Sequence, residues 1–162
     1  MREKIKMYCD VKNILEDLDE NTFLELTNDT NRQREEIDLE DLEDAIVVLV
    51  NAQIKKAEDE INPFLIPLKV LPFTIVPERI KTITAKITIK NLYQRNPAYR
   101  ANMPESITND YKDCLKELDA YRKKERTIPG LEEIAAAKPS SEIKVNKTEA
   151  DRYFSKDLLS KF

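Results

Sequence analysis

PERIKTITAKITIKNLYQRN, residues 77–96, is the stretch on which the fold of this 162-residue chain turns. Ile83, Ala85, Ile87 and Ile89 alternate with Thr and Lys, a strand pattern in β-branched residues. Ile80, Ile83, Thr84, Ile87 and Asn91 also share one helical face. Pro77 suits a first helical position, and Glu78 suits the positive end of a helix dipole. Roughly 16 residues then run unbroken to Asn96-Pro97, long for a strand. Length and capping predict a helix, against local propensity, and an all-α chain.

Upstream, Asp10 reads as an N-cap for Val11, Ile14, Leu15 and Leu18. Asn21 caps a shorter turn carrying Phe23, Leu24 and Leu26, and the polar run from Asn28 to Glu36 reads as a loop. Asp38, with Asp41 as a weak capping-box partner, is expected to open a long helix. Its stripe is Leu42, Ile46, Leu49, Gln53, Ala57 and Ile61, widened by Val50 and Ile54, and Asn62-Pro63 is expected to stop it. Downstream, Pro104 opens a helix with Ile107, Tyr111, Cys114, Leu115, Leu118, Tyr121 and Arg122 at three- and four-residue steps. Pro129-Gly130 is expected to end it, and residues 132–138 have room for a helical turn or two.

Between the helices lies Pro63 to Pro77, with further prolines at 67 and 72. Prolines at this spacing forbid a regular helix and remove donors from any central strand. Phe64, Leu65, Leu68, Leu71 and Phe73 make the segment too apolar to hang in water. Either it straps over the chain's own helices or it covers a neighbouring subunit; a strap that touches a neighbour is the favoured reading. Beyond residue 130, the polar stretch to Phe162 carries Tyr153, Phe154, Leu158, Leu159 and Phe162, too few for a core. They read as anchors on an arm that orders against a partner. The organisation expected is a small helical bundle over 1–130, with a proline-rich extended loop, and an extended C-terminal arm over 131–162.

Composition narrows the chemistry. Hydrophobic residues at 41% and charged residues at 36% suit helices with one buried stripe and one solvated face. No run approaches the ~18 apolar residues of a membrane span, and Met1–Met7 lacks the apolar core of a signal peptide. With no His, the commonest general base and neutral metal ligand is missing. With Gly130 as the single glycine, no P-loop, dinucleotide fingerprint or nucleophile elbow can form. Cys9 and Cys114 lie far apart and read as structural thiols. Asp17, Asp19 and Asn21 alternate as in a calcium loop, as do Asp29 and Asn31. The first run puts Thr22 at the glycine position and Asn28 at that of the bidentate Glu; the second puts Arg34 at the glycine, with Glu40 twelfth. Neither metal, cofactor nor catalytic site is expected, and the chain reads as a non-enzyme.

The net charge of −4 is unevenly distributed. From Asp10 to Asn62 there are 17 acids and 5 bases; from Pro63 to Phe162 there are 13 acids and 19 bases. These are either solvated helix faces or opposite faces of a head-to-tail contact between copies. Lys86, Lys90, Arg95 and Arg100, interleaved with Tyr93 and Tyr99, could face DNA. A pI near 5.1 argues against tight binding and suits a weak, sliding contact.

Met7-Tyr8-Cys9-Asp10-Val11 through Phe23-Leu24-Glu25-Leu26-Thr27-Asn28-Asp29 resembles the opening of the Mu-like phage head–tail connector family. The order that follows is also similar: Ile37-Asp38, a long helix to Glu60-Ile61, the Leu68–Pro77 segment, Leu92-Tyr93-Gln94-Arg95, Pro104-Glu105, Tyr111–Leu118 and Phe154-Ser155-Lys156-Asp157-Leu158. The resemblance covers nearly the whole chain through short motifs, carried by their order and spacing. It implies a virion protein forming a homo-oligomeric, dodecameric ring below the portal protein, extending the DNA channel and docking a neck or tail protein. It also implies that Ser140 to Phe162 grips the portal. The 28–36 loop departs from relatives, which carry glycine and more acids there. The rival expectation is a cytoplasmic helical regulator that binds DNA or protein as a small oligomer.

Overall fold

Asp10 caps the first helix, α1 (Val11–Asp17), in a reciprocal arrangement in a computed structural model that describes residues 7–131. Its carboxylate accepts from the Asn13 amide at 3.0 Å, and the Asn13 side chain accepts from the Asp10 amide at 3.1 Å. The second helix, α2 (Glu20–Thr27), is capped by Asp19, whose carboxylate accepts from the Thr22 amide at 3.0 Å. Asn21, expected as that cap, lies inside the helix, because Asp19 is the residue whose extended backbone aims its carboxylate at an orphan donor.

The long helix, α3 (Ala45–Leu65), begins later than Asp38 and ends beyond Asn62-Pro63. Asp44, not Asp38, is its cap: one carboxylate oxygen accepts from the Ile46 amide at 2.8 Å and from Arg32 at 2.6 Å, the other from the Asp38 amide at 3.2 Å. Asp38 and Asp41 instead cap tight turns, accepting from the amides of Glu40 and Glu43. Leu42, assigned to the apolar stripe, therefore sits before the helix and in solvent. At the far end Pro63 is tolerated within the last turn, where Leu65 is fully buried and the Ile66 amide still bonds to the Asn62 carbonyl. Burying a leucine contributes about 1.5–3 kcal/mol, comparable with the roughly 3 kcal/mol cost of an interior proline.

After a 3-10 turn at Ile66–Leu68 the strap is irregular up to Pro77, with a left-handed Lys69. It lies over the chain itself: Val76 is buried, Leu68, Val70, Leu71 and Phe73 are partly buried, and the Phe73 ring meets Tyr8 edge-on at 5.4 Å. The next helix, α4 (Glu78–Arg95), confirms the helical reading of 77–96, with Pro77 one place earlier than expected, at the cap. Its dual pattern has a simple cause. Ile83, Ala85, Ile87 and Ile89 are buried together with Ile80, Thr84, Thr88 and Leu92, because neighbours cover the helix on several sides. Thr84 and Thr88 satisfy their buried hydroxyls on the Ile80 and Thr84 carbonyls, at 2.7 and 2.8 Å.

A short α5 (Pro97–Ala101), not anticipated, is capped by Asn96. The last described helix, α6 (Glu105–Arg122), starts at Pro104 as expected but stops well before Pro129-Gly130. Lys124 adopts a left-handed conformation; its amide bonds to the Tyr121 carbonyl and that of Glu125 to Ala120, both at 2.9 Å. This paired arrangement closes the helix C-terminus without glycine.

The fold is all-α, a small bundle built around the antiparallel pair α3 and α4. Two clusters share that pair. One joins α1, α2, the first half of α3 and the second half of α4, around Ile14, Phe23, Leu26 and Ile54. The other joins the second half of α3, the first half of α4, α6 and the strap, around Ile61, Leu65, Ile80 and Leu118. Each contains one free, buried cysteine, Cys9 in the first and Cys114 in the second.

Candidate assembly surface

The strap and the residues after α6 together form a groove of about 310 Å³ with an apolar floor of Leu68, Val70, Tyr121, Ile128 and Leu131. Lys124 and Arg126 stand on its rim, exposed. Beneath it, α4 and α6 are tied by Arg79, whose Nε and Nη2 donate to the two Glu117 oxygens at 2.8 and 2.5 Å. The Tyr121 hydroxyl donates to the same carboxylate. The Arg79 guanidinium holds the Glu117 carboxyl down at about 2. Burial, reinforced by that carboxylate, pushes the Tyr121 phenol up to about 12. This arrangement fixes the floor of the groove; it offers no group poised for proton transfer near neutrality.

Of the strap residues expected at a subunit interface, Leu65 belongs wholly to the chain's own core. Phe64, Leu68, Leu71 and Phe73 are half-buried, with the Arg122 guanidinium 5.8 Å from the Phe64 ring. Ile66 and Ile75 are exposed on the same stretch. The segment is thus a strap over its own helices that still presents apolar surface outward. The N-terminal segment bridges α3 and the strap: the Tyr8 amide donates to buried Glu58 at 2.6 Å and its hydroxyl to Asn62 at 2.6 Å, while its ring meets Phe73.

The four cationic residues expected to face DNA do not form one open stripe. Lys86 pairs with Asp110 at 3.3 Å, and Lys90 lies 4.1 Å from the centre of the Tyr111 ring, whose hydroxyl donates to Glu60. Arg95 grips Asp29 with both terminal nitrogens at 2.6 Å and donates to the Leu26 carbonyl at 2.8 Å. Arg100, in α5, is exposed. Two of the carboxylates that resembled calcium ligands are engaged elsewhere: Asp29 is held by Arg95 and Asp19 caps α2. Among the described residues no group of three or more His, Cys, Asp or Glu is placed to hold a metal ion. Nor is any helix there long and apolar enough to cross a membrane. The expected anchors Tyr153, Phe154, Leu158, Leu159 and Phe162 lie outside the described residues, as does the arm apart from Leu131.

Two surface residues escaped the sequence reading. Leu42 and Val48, at the N-terminal end of α3, are 61% and 53% exposed. Periodicity had placed Leu42 inside, but the helix begins only at Ala45, so the stripe does not reach it.

The described residues form an all-α bundle with exposed apolar side chains at both ends of its longest helix. The family model described as Bacteriophage Mu, Gp36 matches residues 8–147, and the chain belongs to that bacteriophage family. Comparison with curated proteins and with solved structures gives no match.

Proposed function

We propose that this chain is a head–tail connector subunit, a non-enzymatic virion protein needing no cofactor. It closes into a homo-oligomeric ring, dodecameric by the family resemblance, below the portal protein. The ring extends the DNA channel and offers the neck or tail protein a docking surface. Membership of the Gp36 family over residues 8–147 is the observation that carries this reading. The surface agrees with it: apolar side chains remain outside the core at Leu42, Val48, Ile66 and Ile75, where a partner would cover them. Three of the four cations suggested for DNA are engaged within the chain, which suits passage of a duplex rather than its retention.

Electron microscopy of the purified chain, alone and with portal, tests the proposal directly: a ring seated on the portal is expected. Removing residues 140–162 should leave the helical body folded, with an unchanged far-ultraviolet spectrum, and abolish attachment to portal. Normal attachment by the truncated chain would refute the gripping arm. Duplex affinity separates the rival regulator: a connector should bind weakly with a shallow salt dependence, a regulator tightly with a steep one.

A further inference from the structure

We propose that the acidic N-terminal end of α3 in one copy seats in the basic-rimmed groove of the next, with Leu42 and Val48 covering its apolar floor. This specifies the contact that the ring reading requires and rests on that reading. Residues 35–44 contain seven acids and no base, and Leu42 lies among them. At the groove, residues 122–126 contain four bases and one acid. Part of the charge on each side is left unpaired, although Glu40 pairs with Lys12, Asp44 with Arg32, and Arg122 and Lys123 with Asp119. Glu35 and Glu43 are exposed and make no ion pair among the described residues, and the same holds for Lys124 and Arg126.

Geometry excludes a contact within one copy. The groove opens just past the C-terminal end of α3, at Leu68, whereas Leu42 and Val48 lie at its other end. The 21 residues of α3 hold the two surfaces about 30 Å apart on a rigid rod. A ridge at one end and a groove at the other can meet reciprocally in an antiparallel pair or head to tail; the ring reading takes the head-to-tail contact, which repeats into a closed ring or an open filament. Opposite charge on the two sides favours ridge against groove over ridge against ridge or groove against groove, which would oppose like charges.

Two full-length variants test this, with sedimentation and native mass spectrometry as readouts. Leu42→Lys with Val48→Lys spoils the ridge and leaves the groove; Lys124→Glu with Arg126→Glu spoils the groove and leaves the ridge. All four positions are exposed, so each variant should melt cooperatively like the wild type. Each alone should be monomeric under conditions where the wild type assembles, and the two mixed should form 1:1 dimers and nothing larger. Carbodiimide coupling of the wild type, using isotope-mixed copies, should join Lys124 of one copy to Glu40, Asp41 or Glu43 of another. Coupling of Lys124 instead to Glu149, Asp151 or Asp157 would assign the groove to the C-terminal segment and overturn the proposal. Variants that assemble like the wild type would overturn this contact and leave the ring standing. A wild type that assembles neither alone nor on portal would remove the ring itself.

Discussion

Arg79→Leu is expected to destabilise the chain by about 2 kcal/mol at pH 7, and the deficit should shrink toward zero as the pH falls to about 2. The guanidinium meets both oxygens of Glu117, which is largely buried, so deleting it leaves a carboxylate without its cation. Fully buried pairs cost about 3–5 kcal/mol to break; Arg79 is itself partly in solvent, which reduces the figure. Glu117 titrates at about 2 in the folded chain, below its ordinary 4.5. A lowered carboxylate contributes stability that is complete above the unfolded value and disappears as pH falls through the folded one. The wild type should therefore lose this contribution between about pH 4.5 and pH 2, while the variant has none to lose. Urea unfolding of both proteins at pH 7 and pH 3 decides it. A deficit of equal size at the two pH values would mean that Arg79 acts through packing alone.

Phe23→Ala should have the larger effect, about 3–5 kcal/mol, read as a drop in urea midpoint at constant slope. Phe23 is fully buried in the cluster formed by α1, α2 and the facing halves of α3 and α4. Truncation removes an aromatic ring from a close-packed site whose helical walls cannot collapse to fill the space. A domain of this size has about 5–15 kcal/mol of total stability, so the variant should give up a large share of it. A loss below about 1 kcal/mol would show that α2 is an appendage and not part of the core.

What the sequence disclosed and what it withheld follow from how each signal is generated. Residues 77–96 were legible as a helix because length and the prolines at both ends outweighed β-branched propensity. Their confusing alternation was the mark of a helix buried on several sides. The start of α3 was not legible, because Asp38, Asp41 and Asp44 are all competent caps in sequence. The choice of Asp44 depends on Arg32, twelve residues away, reaching its carboxylate. Likewise the end of α6 rests on Lys124 taking a left-handed conformation that sequence rules reserve for glycine. At the candidate surface, the apolar strap was legible, but not that Leu65 faces inward. The cationic residues were legible as a set, but their partners Asp110, Tyr111 and Asp29 come from other elements, and no local pattern announces them.

The two thiols have a practical consequence. Burial raises Cys9 to about 12 and Cys114 to about 11, so neither presents a thiolate to a reagent while its cluster is closed. Alkylation can then proceed only through opening, and each sulfur times the opening of its own end of the bundle. Following both modifications by mass in a single sample shows whether the chain loosens from the α1–α2 end, from the groove end, or from both at once. The wild-type molecule thus carries its own pair of clocks, with no probe introduced.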